Sequence, residues 1–358
     1  MVFSFIIKAK MSSGKKQHFV PNSYLRQWEF KENRLYIFDL VTQKLHVGDP
    51  ANICTENHFY TLDYLGEDRR LIDDYLSEIE RDGLPRLKEM VRKEDLSQNG
   101  RDQAGWFMAA QKIRTPTQKR EDEQISFELT KNIIREKIED PIALRDIVKD
   151  LCEKFPDRDV MAEIGDDPKA YFLEQHRKIE SDEIAFQMQN HKEKWLSTIP
   201  KMMEKVALEY IAGSWFVLQA PRNRGFITSD NPVVTFSFLD NHSMPTKKNV
   251  IDVDVTFPLS PHALVLLRYD RGRRIVHMEH SESGKSINEL NMRTAMHAER
   301  YLFSHNKELL LATVGRYYDA WKTMRAHNSA KAHATNHIPV VDLQKRYLAK
   351  MIYRNYGA

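Results

Sequence analysis

The sequence predicts an α+β fold: a mainly antiparallel sheet built from N-terminal and C-terminal strands, with a large helical insertion between them. Three observations carry that expectation. Apolar residues alternate near residues 35–47, recur every three or four positions from residue 70, and alternate again after Gly213. Clusters of Gly, Pro, Asn and Asp stand at the joints. A chain of 358 residues, 41% hydrophobic and 29% charged, can bury a full core. The organisation expected is an extension over 1–15, a single α+β domain over 16–326 with its helical insertion at about 70–212, and a partly helical tail over 327–358.

In chain order, residues 17–28 contain Pro21 ending an extended entry and Asn22 as a helix N-cap. Tyr24, Leu25 and Trp28 then share one helical face. Residues 34–40 and 44–47 flank Val41, Thr42 and Gln43 as a hairpin, and 51–62 form a loop carrying Glu56 into a strand at 58–62. Leu71, Ile72, Tyr75, Leu76 and Ile79 mark a helix that Gly83 and Pro85 should break before a second piece ending near Arg92. A third helix spans 102–114, with Trp106, Phe107, Ala110 and Ile113 inward. Charged helical stretches follow at 123–137, 143–154 and 169–197, and Pro200 opens one more helix up to Gly213.

Strand-like runs then stand at 215–219, 226–228, 233–238, 250–257 and 263–268, with a weaker one at 275–278. The first two, around a polar loop with Pro221 and Gly225, suggest a hairpin closed by Ser229, Asp230, Asn231 and Pro232. A helix at 285–300, a strand at 301–303, a helix at 307–325 and a helical period at 341–353 complete the chain.

No run approaches the ~18 apolar residues of a membrane span. The six-residue run after Met1 is too short for a signal-peptide core, and Met11 is an equal candidate start. Two cysteines, Cys54 and Cys152, suit a reducing cytoplasm. Charge is uneven: residues 262–358 hold 16 Lys and Arg against 8 Asp and Glu, a net of +8, while the remainder, 38 against 43, carries −5. Such a basic quarter suits nucleic acid or a nucleotide, or is simply a solvated surface.

Phosphate-loop, dinucleotide, zinc-protease and nucleophile-elbow motifs are all absent. What remains is a scattered polar set. His18 has the residue type for general acid/base work. Asp230 ends a strand, where a carboxylate serves either chemistry or its own turn. Gln111 and Arg114 lie one turn apart on an otherwise apolar helix face, and Arg114 suits a phosphate. Asn231 adjoins Asp230, and Asn291 and Arg300 bracket a later helix. A divalent metal, if used, would take oxygen ligands from Asp230 with Glu56 or Glu80. Asp252 and Asp254 share one strand face.

The string His18-Phe-Val-Pro21-x-x-Tyr24-Leu25-Arg26-x-Trp28 resembles the opening of a family of uncharacterised, mainly microbial proteins catalogued as domain of unknown function 4238. Residues 56–60 (ENHFY), 111–116 (QKIRTP), 226–232 (FITSDNP), 257–261 (FPLSP) and 291–304 continue the likeness over roughly 16–305. The resemblance implies that these motifs meet in space, and it implies no residue roles. Two functional expectations stand side by side. One is a phosphodiester- or nucleotide-directed hydrolase, with His18 and Asp230 catalytic, Gln111, Arg114 and Asn231 on the substrate, and Glu56 and Asp230 on a metal. The other is a non-catalytic sensor or effector module of a bacterial defence or toxin system, in which the polar set is a structural network. Because a buried Arg114 needs an acceptor, Asp230 is its expected partner.

Overall fold

In a computed structural model, the described residues are 16–62, 70–92, 96–156, 159–181, 191–221, 223–237, 253–270, 272–279 and 286–334. They group into two compact units, one drawn from 1–119 and 192–326, the other from 120–191 and 327–358.

In the larger unit, Lys16–His18 (β1) leads into the short helix Asn22–Leu25 (α1) and a 3-10 turn, Arg26–Trp28. The hairpin Leu35–Asp39 (β2) and Lys44–Gly48 (β3) follows, then Thr55–Asn57 (β4), which pairs antiparallel with β1. Two helices come next, Leu71–Val91 (α2) and Gln98–Ile113 (α3). Pro116–Glu139 (α4) leaves this unit, and Pro141–Lys154 (α5), Val160–Ile164 (α6) and Pro168–Glu180 (α7) belong to the smaller one. The chain returns through His191–Ala212 (α8).

Seven strands and two helices remain: Ser214–Gln219 (β5), Thr228–Ser229 (β6), Val234–Ser237 (β7), Val253–Ser260 (β8), Ala263–Arg268 (β9), Ile275–Glu279 (β10), Ile287–His297 (α9), Tyr301–Ser304 (β11) and Lys307–Ala334 (α10). One sheet runs β10-β5-β9-β8-β7, antiparallel except where β10 lies parallel to β5. The other runs β3-β2-β11-β6, all antiparallel. The N-terminal hairpin therefore shares a sheet with Thr228, as the sequence predicts, and β11 stands between them. The class is α+β with antiparallel pairing dominant.

Strand β8 is buried on both faces, with Val253, Val255, Phe257 and Leu259 on one and Asp254 and Thr256 on the other. Tyr24 ties the two larger sheets together. Its hydroxyl donates to the Pro258 carbonyl at 2.7 Å and accepts from Thr228 Oγ1 at 2.7 Å, and its ring stacks on Phe257.

Several local expectations are corrected. Pro21, not Asn22, is the N-cap residue of α1; the Pro21 carbonyl accepts from Tyr24 N and Leu25 N, and Asn22 Oδ1 has no partner. The strand expected at 58–62 falls earlier, at β4, because His58 takes φ 56° and turns the chain. Gly83 and Pro85 do not break α2. Gly83 lets α3 approach, since a Cβ there would sit 2.5 Å from Phe107 Cβ and 2.8 Å from the Gln103 carbonyl. Pro85 and Arg81 are exposed, so the carbonyl Pro85 cannot serve is solvated. Pro200 likewise lies inside α8, where Trp195, Leu196, Ile199, Met203, Ala207 and Tyr210 are buried on both sides of it. That continuous apolar stripe outweighs the ~3 kcal/mol a proline costs a helix interior.

The hairpin expected between 215–219 and 226–228 does not form. β5 pairs with β9 and β10, and β6 with β11. The loop between them is tied instead to the β8–β9 turn, by Ala220 N to the His262 carbonyl at 2.9 Å and Phe226 N to the Pro261 carbonyl at 2.8 Å. The last helix runs past residue 325 to Ala334. The expectations for Asp252 and 341–353 fall outside the described residues.

In the smaller unit, Asp140, Asp159 and Asp167 cap α5, α6 and α7, each accepting a first-turn N–H, with Pro141 and Pro168 opening two of those helices. His176 is buried on α7 and its Nε2–H donates to the Lys131 carbonyl of α4 at 3.1 Å. Among the described residues no helix is long and apolar enough to cross a membrane.

Candidate functional site

Arg114 is the C-cap residue of α3, and its buried guanidinium fastens that helix end to three other elements. Nη1 donates to Glu80 of α2, Nη2 to the His18 carbonyl of β1, and Nε to the Tyr60 hydroxyl at 3.3 Å. Tyr60 answers by donating its hydroxyl to the Arg114 carbonyl at 2.8 Å. The Tyr60 N–H is held in turn by Gln17 Oε1 at 2.7 Å. The expected acceptor for Arg114 was Asp230; the structure supplies Glu80 instead, because both Asp230 oxygens are already occupied.

Two polar side chains near this fastening are unsatisfied. Gln111, one turn before Arg114, is 0% exposed, and neither its Nε2 nor its Oε1 has a hydrogen-bond partner. His18 Nε2 is also buried without a partner. Burial first, and then the charge of Arg114, lower the His18 pKa against the opposing pull of Glu80, so the ring is neutral at pH 7. A shallow pocket lies beside Glu80, lined by Ser23, Ser77, Arg81, Leu84 and Pro85.

Asp230 and Asn231 sit in a second network, at the corner between α9 and β11. Asp230 Oδ1 accepts from Glu299 N at 2.8 Å, and Oδ2 accepts from Arg300 N at 2.8 Å and Tyr301 N at 2.9 Å. Burial pushes this carboxyl up to about 7, against the three N–H groups that pull it down. Asn231 Nδ2 donates to the His297 carbonyl at 2.9 Å. Asn291 reaches back from α9: its Oδ1 accepts from Ile227 N at 3.0 Å and its Nδ2 donates to the Gly225 carbonyl at 3.0 Å. Thus residues 225–231 are held by side chains and main chain from 291–301. Next to them Arg300 donates twice to Asp39 Oδ2, at 3.1 and 2.7 Å. Burial raises the Asp39 carboxyl, but Arg300 and the N–H groups of Val41 and Thr42 outweigh it and bring it to about 2.

Cys54 has a link toward each network. Its carbonyl accepts from Phe19 N at 2.9 Å, and its buried thiol is pushed well up, first by burial and then by the charge of Asp230. His18 and Arg114 are thus brought together, Asp230 and Asn231 are brought together, and no hydrogen bond joins the pairs. Glu56 lies apart from both, exposed on β4 opposite Gln17. Among the described residues no group of three or more His, Cys, Asp or Glu is placed to hold a metal ion.

Sequence reasoning missed two participants, Tyr60 and Arg293, and gave a third, Glu80, another role. Tyr60 stands in the ENHFY motif, but nothing in spacing ties it to Arg114. Glu80 was named as a possible metal ligand, whereas it accepts from Arg114. Arg293 is fully buried, donating to Asp254 Oδ2 at 3.2 Å and Glu289 Oε1 at 2.8 Å with its guanidinium over the Phe236 ring. The Glu289 partner was visible as an i,i+4 pair; Asp254, 39 residues away, was not.

Residues 16–308 match the model of the family described as Protein of unknown function (DUF4238). No curated protein and no solved structure matches the chain.

Proposed function

We propose that this chain, which belongs to the DUF4238 family, works as a non-catalytic sensor or effector module: its polar set holds the scaffold, and recognition falls to the helical unit. The observation that carries this reading is that both Asp230 oxygens accept backbone N–H groups, three in all. A general base or metal ligand needs a lone pair aimed at its target, and these oxygens are aimed at the 299–301 corner. The guanidinium of Arg114 is spent in the same way on Glu80, Tyr60 and His18. In the basic C-terminal quarter, Arg268, Arg274, Arg293, Arg300 and Arg325 each carry a carboxylate partner, which leaves less free charge for a polyanion. A cytoplasmic place in a bacterial defence or toxin system fits this reading and the low cysteine count.

A hydrolase is the second reading, favoured by the unpartnered Nε2 of a neutral His18 and by the unpaired amide of Gln111. One comparison separates the two. The full chain, His18→Asn and Asp230→Asn are assayed against phosphodiester and nucleotide substrates with Mg²⁺ or Mn²⁺, alongside urea unfolding. The module reading expects no turnover, and a loss of about 1–3 kcal/mol of stability in Asp230→Asn, the cost of a spoiled buried polar contact. Turnover by the full chain that disappears in His18→Asn at unchanged stability would overturn it.

A further inference from the structure

We propose that an apolar groove of the helical unit takes up a lipophilic carboxylate, a single-chain fatty-acid anion, with its chain on the groove floor and its carboxylate on Arg145. This rests on the reading that the helical unit is a recognition surface, and it names the class of ligand. The groove lies among α4 to α7. Ile138, Leu144, Val148 and Met161 line it, and its volume of 670 Å³ is within the ~300–1,000 Å³ of sites that take up a small molecule. Ile138 and Leu144 are buried, whereas Met161 is 53% exposed. Apolar surface left in water to that extent favours an apolar cover.

The charges select the occupant. Pro141, Arg145, Val148, Lys149 and Cys152 recur at three- and four-residue spacing, so α5 turns one face to the groove. Both acids at the rim are already engaged. Glu139 Oε2 pairs with Lys169 Nζ at 2.6 Å, and Asp167 Oδ1 accepts the Ala170 N–H at 3.0 Å. The cations of α5 are not. Lys149 Nζ stands 3.8 Å from Glu153 with both side chains well exposed, a contact that water and salt screen. Among the described residues no carboxylate pairs with Arg145. Two like charges one helical turn apart repel, and a carboxylate seated beside them relieves that repulsion. The guanidinium fork of Arg145 offers such a group two parallel N–H donors. An apolar floor with uncompensated positive charge on one wall is complementary to an anion with an apolar tail. A cationic or uncharged lipophile would meet the same floor but leave Arg145 without a partner.

The two cysteines make the test direct. Cys54 is buried with its thiol pushed well up, so an uncharged chromogenic disulfide reads Cys152, on the groove wall. The full chain is treated with that reagent in the presence of dodecanoate, dodecanol or dodecyltrimethylammonium, each below its micelle-forming concentration. The proposal expects saturable protection by dodecanoate, at about tenfold lower concentration than by dodecanol, and the least protection by the cation. Decanoate and octanoate should protect less well, by about fourfold per methylene removed, the factor given by ~0.8 kcal/mol. In Arg145→Gln, an exposed position, dodecanoate should do no better than dodecanol, and in Val148→Asp its protection should be lost. No protection by dodecanoate, or equal protection by all three compounds, would overturn the proposal. So would a dodecanoate preference that survives Arg145→Gln or Val148→Asp. Those outcomes leave the module reading intact, since it turns on the turnover comparison. Turnover lost in His18→Asn, with dodecanoate protection unchanged, would instead sink the module reading and leave the carboxylate site standing.

Discussion

Removing Glu80 should unfasten the end of α3 at a cost that can be worked from the contacts. The Arg114 side chain is 3% exposed and that of Glu80 22%. In Glu80→Ala the guanidinium keeps Tyr60 and the His18 carbonyl but loses the carboxylate that takes Nη1. Breaking one partner of a buried ion pair costs about 3–5 kcal/mol; the partial exposure of Glu80 admits water, so the low end, about 3 kcal/mol, is expected. For a unit of this size that lowers the Tm by roughly 6–12 °C. Arg114→Met removes the charge but strands the His18 carbonyl and the Tyr60 hydroxyl. The double variant should therefore cost about 2 kcal/mol less than the two single costs added, since its members share one contact. Urea unfolding followed by tryptophan fluorescence is the assay, because all five tryptophans (28, 106, 195, 215 and 321) lie in the larger unit. Glu80→Ala within about 0.5 kcal/mol of wild type, or strict additivity in the cycle, would refute the reasoning.

Two further outcomes are expected. Gly83→Ala should destabilise by about 1–3 kcal/mol, despite alanine's better helix propensity, because its Cβ would meet Phe107 and the Gln103 carbonyl; a stabilised variant in a melting experiment would contradict the close approach of α2 and α3. Burial, then the charges of Lys112 and Arg293, bring His297 down to about 4 despite its bond to the Arg293 carbonyl. The unfolded chain takes up that proton near the ordinary histidine value of 6.5, so stability should fall as pH drops from 6.5 to 4, by up to about 3 kcal/mol, and level off below. His297→Asn, which keeps a side-chain donor without the titration, should flatten that limb of the pH–stability curve; an unchanged slope would assign the acid sensitivity elsewhere.

Much of the fold was legible because burial writes itself as periodicity. The switches near residues 70 and 213 located the helices, and the pairing of the N-terminal hairpin with the later strands followed from them. The errors came where tertiary contact overrode a local signal. Gly83 looked like a break because a missing side chain is ambiguous between a turn and a close approach, and only α3 decides. Pro200 looked like a helix start because the apolar stripe that carries α8 across it begins earlier. The hairpin around Pro221 failed because strand spacing says nothing of which neighbour offers the better edge. In the polar set, the sequence located residues out of keeping with their surroundings, but partner choice depends on three-dimensional competition. Asp230 had three main-chain donors nearer than Arg114, and no spacing rule could have said so.

The pairing of β2 has a consequence for how the protein is made. Strand β2 joins β11, and Arg300 reaches Asp39 across 261 positions of chain. At about 5–20 residues per second, a ribosome takes roughly 13–50 s to synthesise that interval. Until β11 emerges, the β2 side of the early hairpin of β2 and β3 is an unpaired edge, with Leu35, Ile37 and Phe38 lacking their cover. Tyr24 waits nearly as long for Thr228 and Pro258. The nascent N-terminal segment thus spends tens of seconds as an open apolar ribbon, so its yield in a cell should depend on holdase chaperones and on translation speed far more than that of a chain with local contacts.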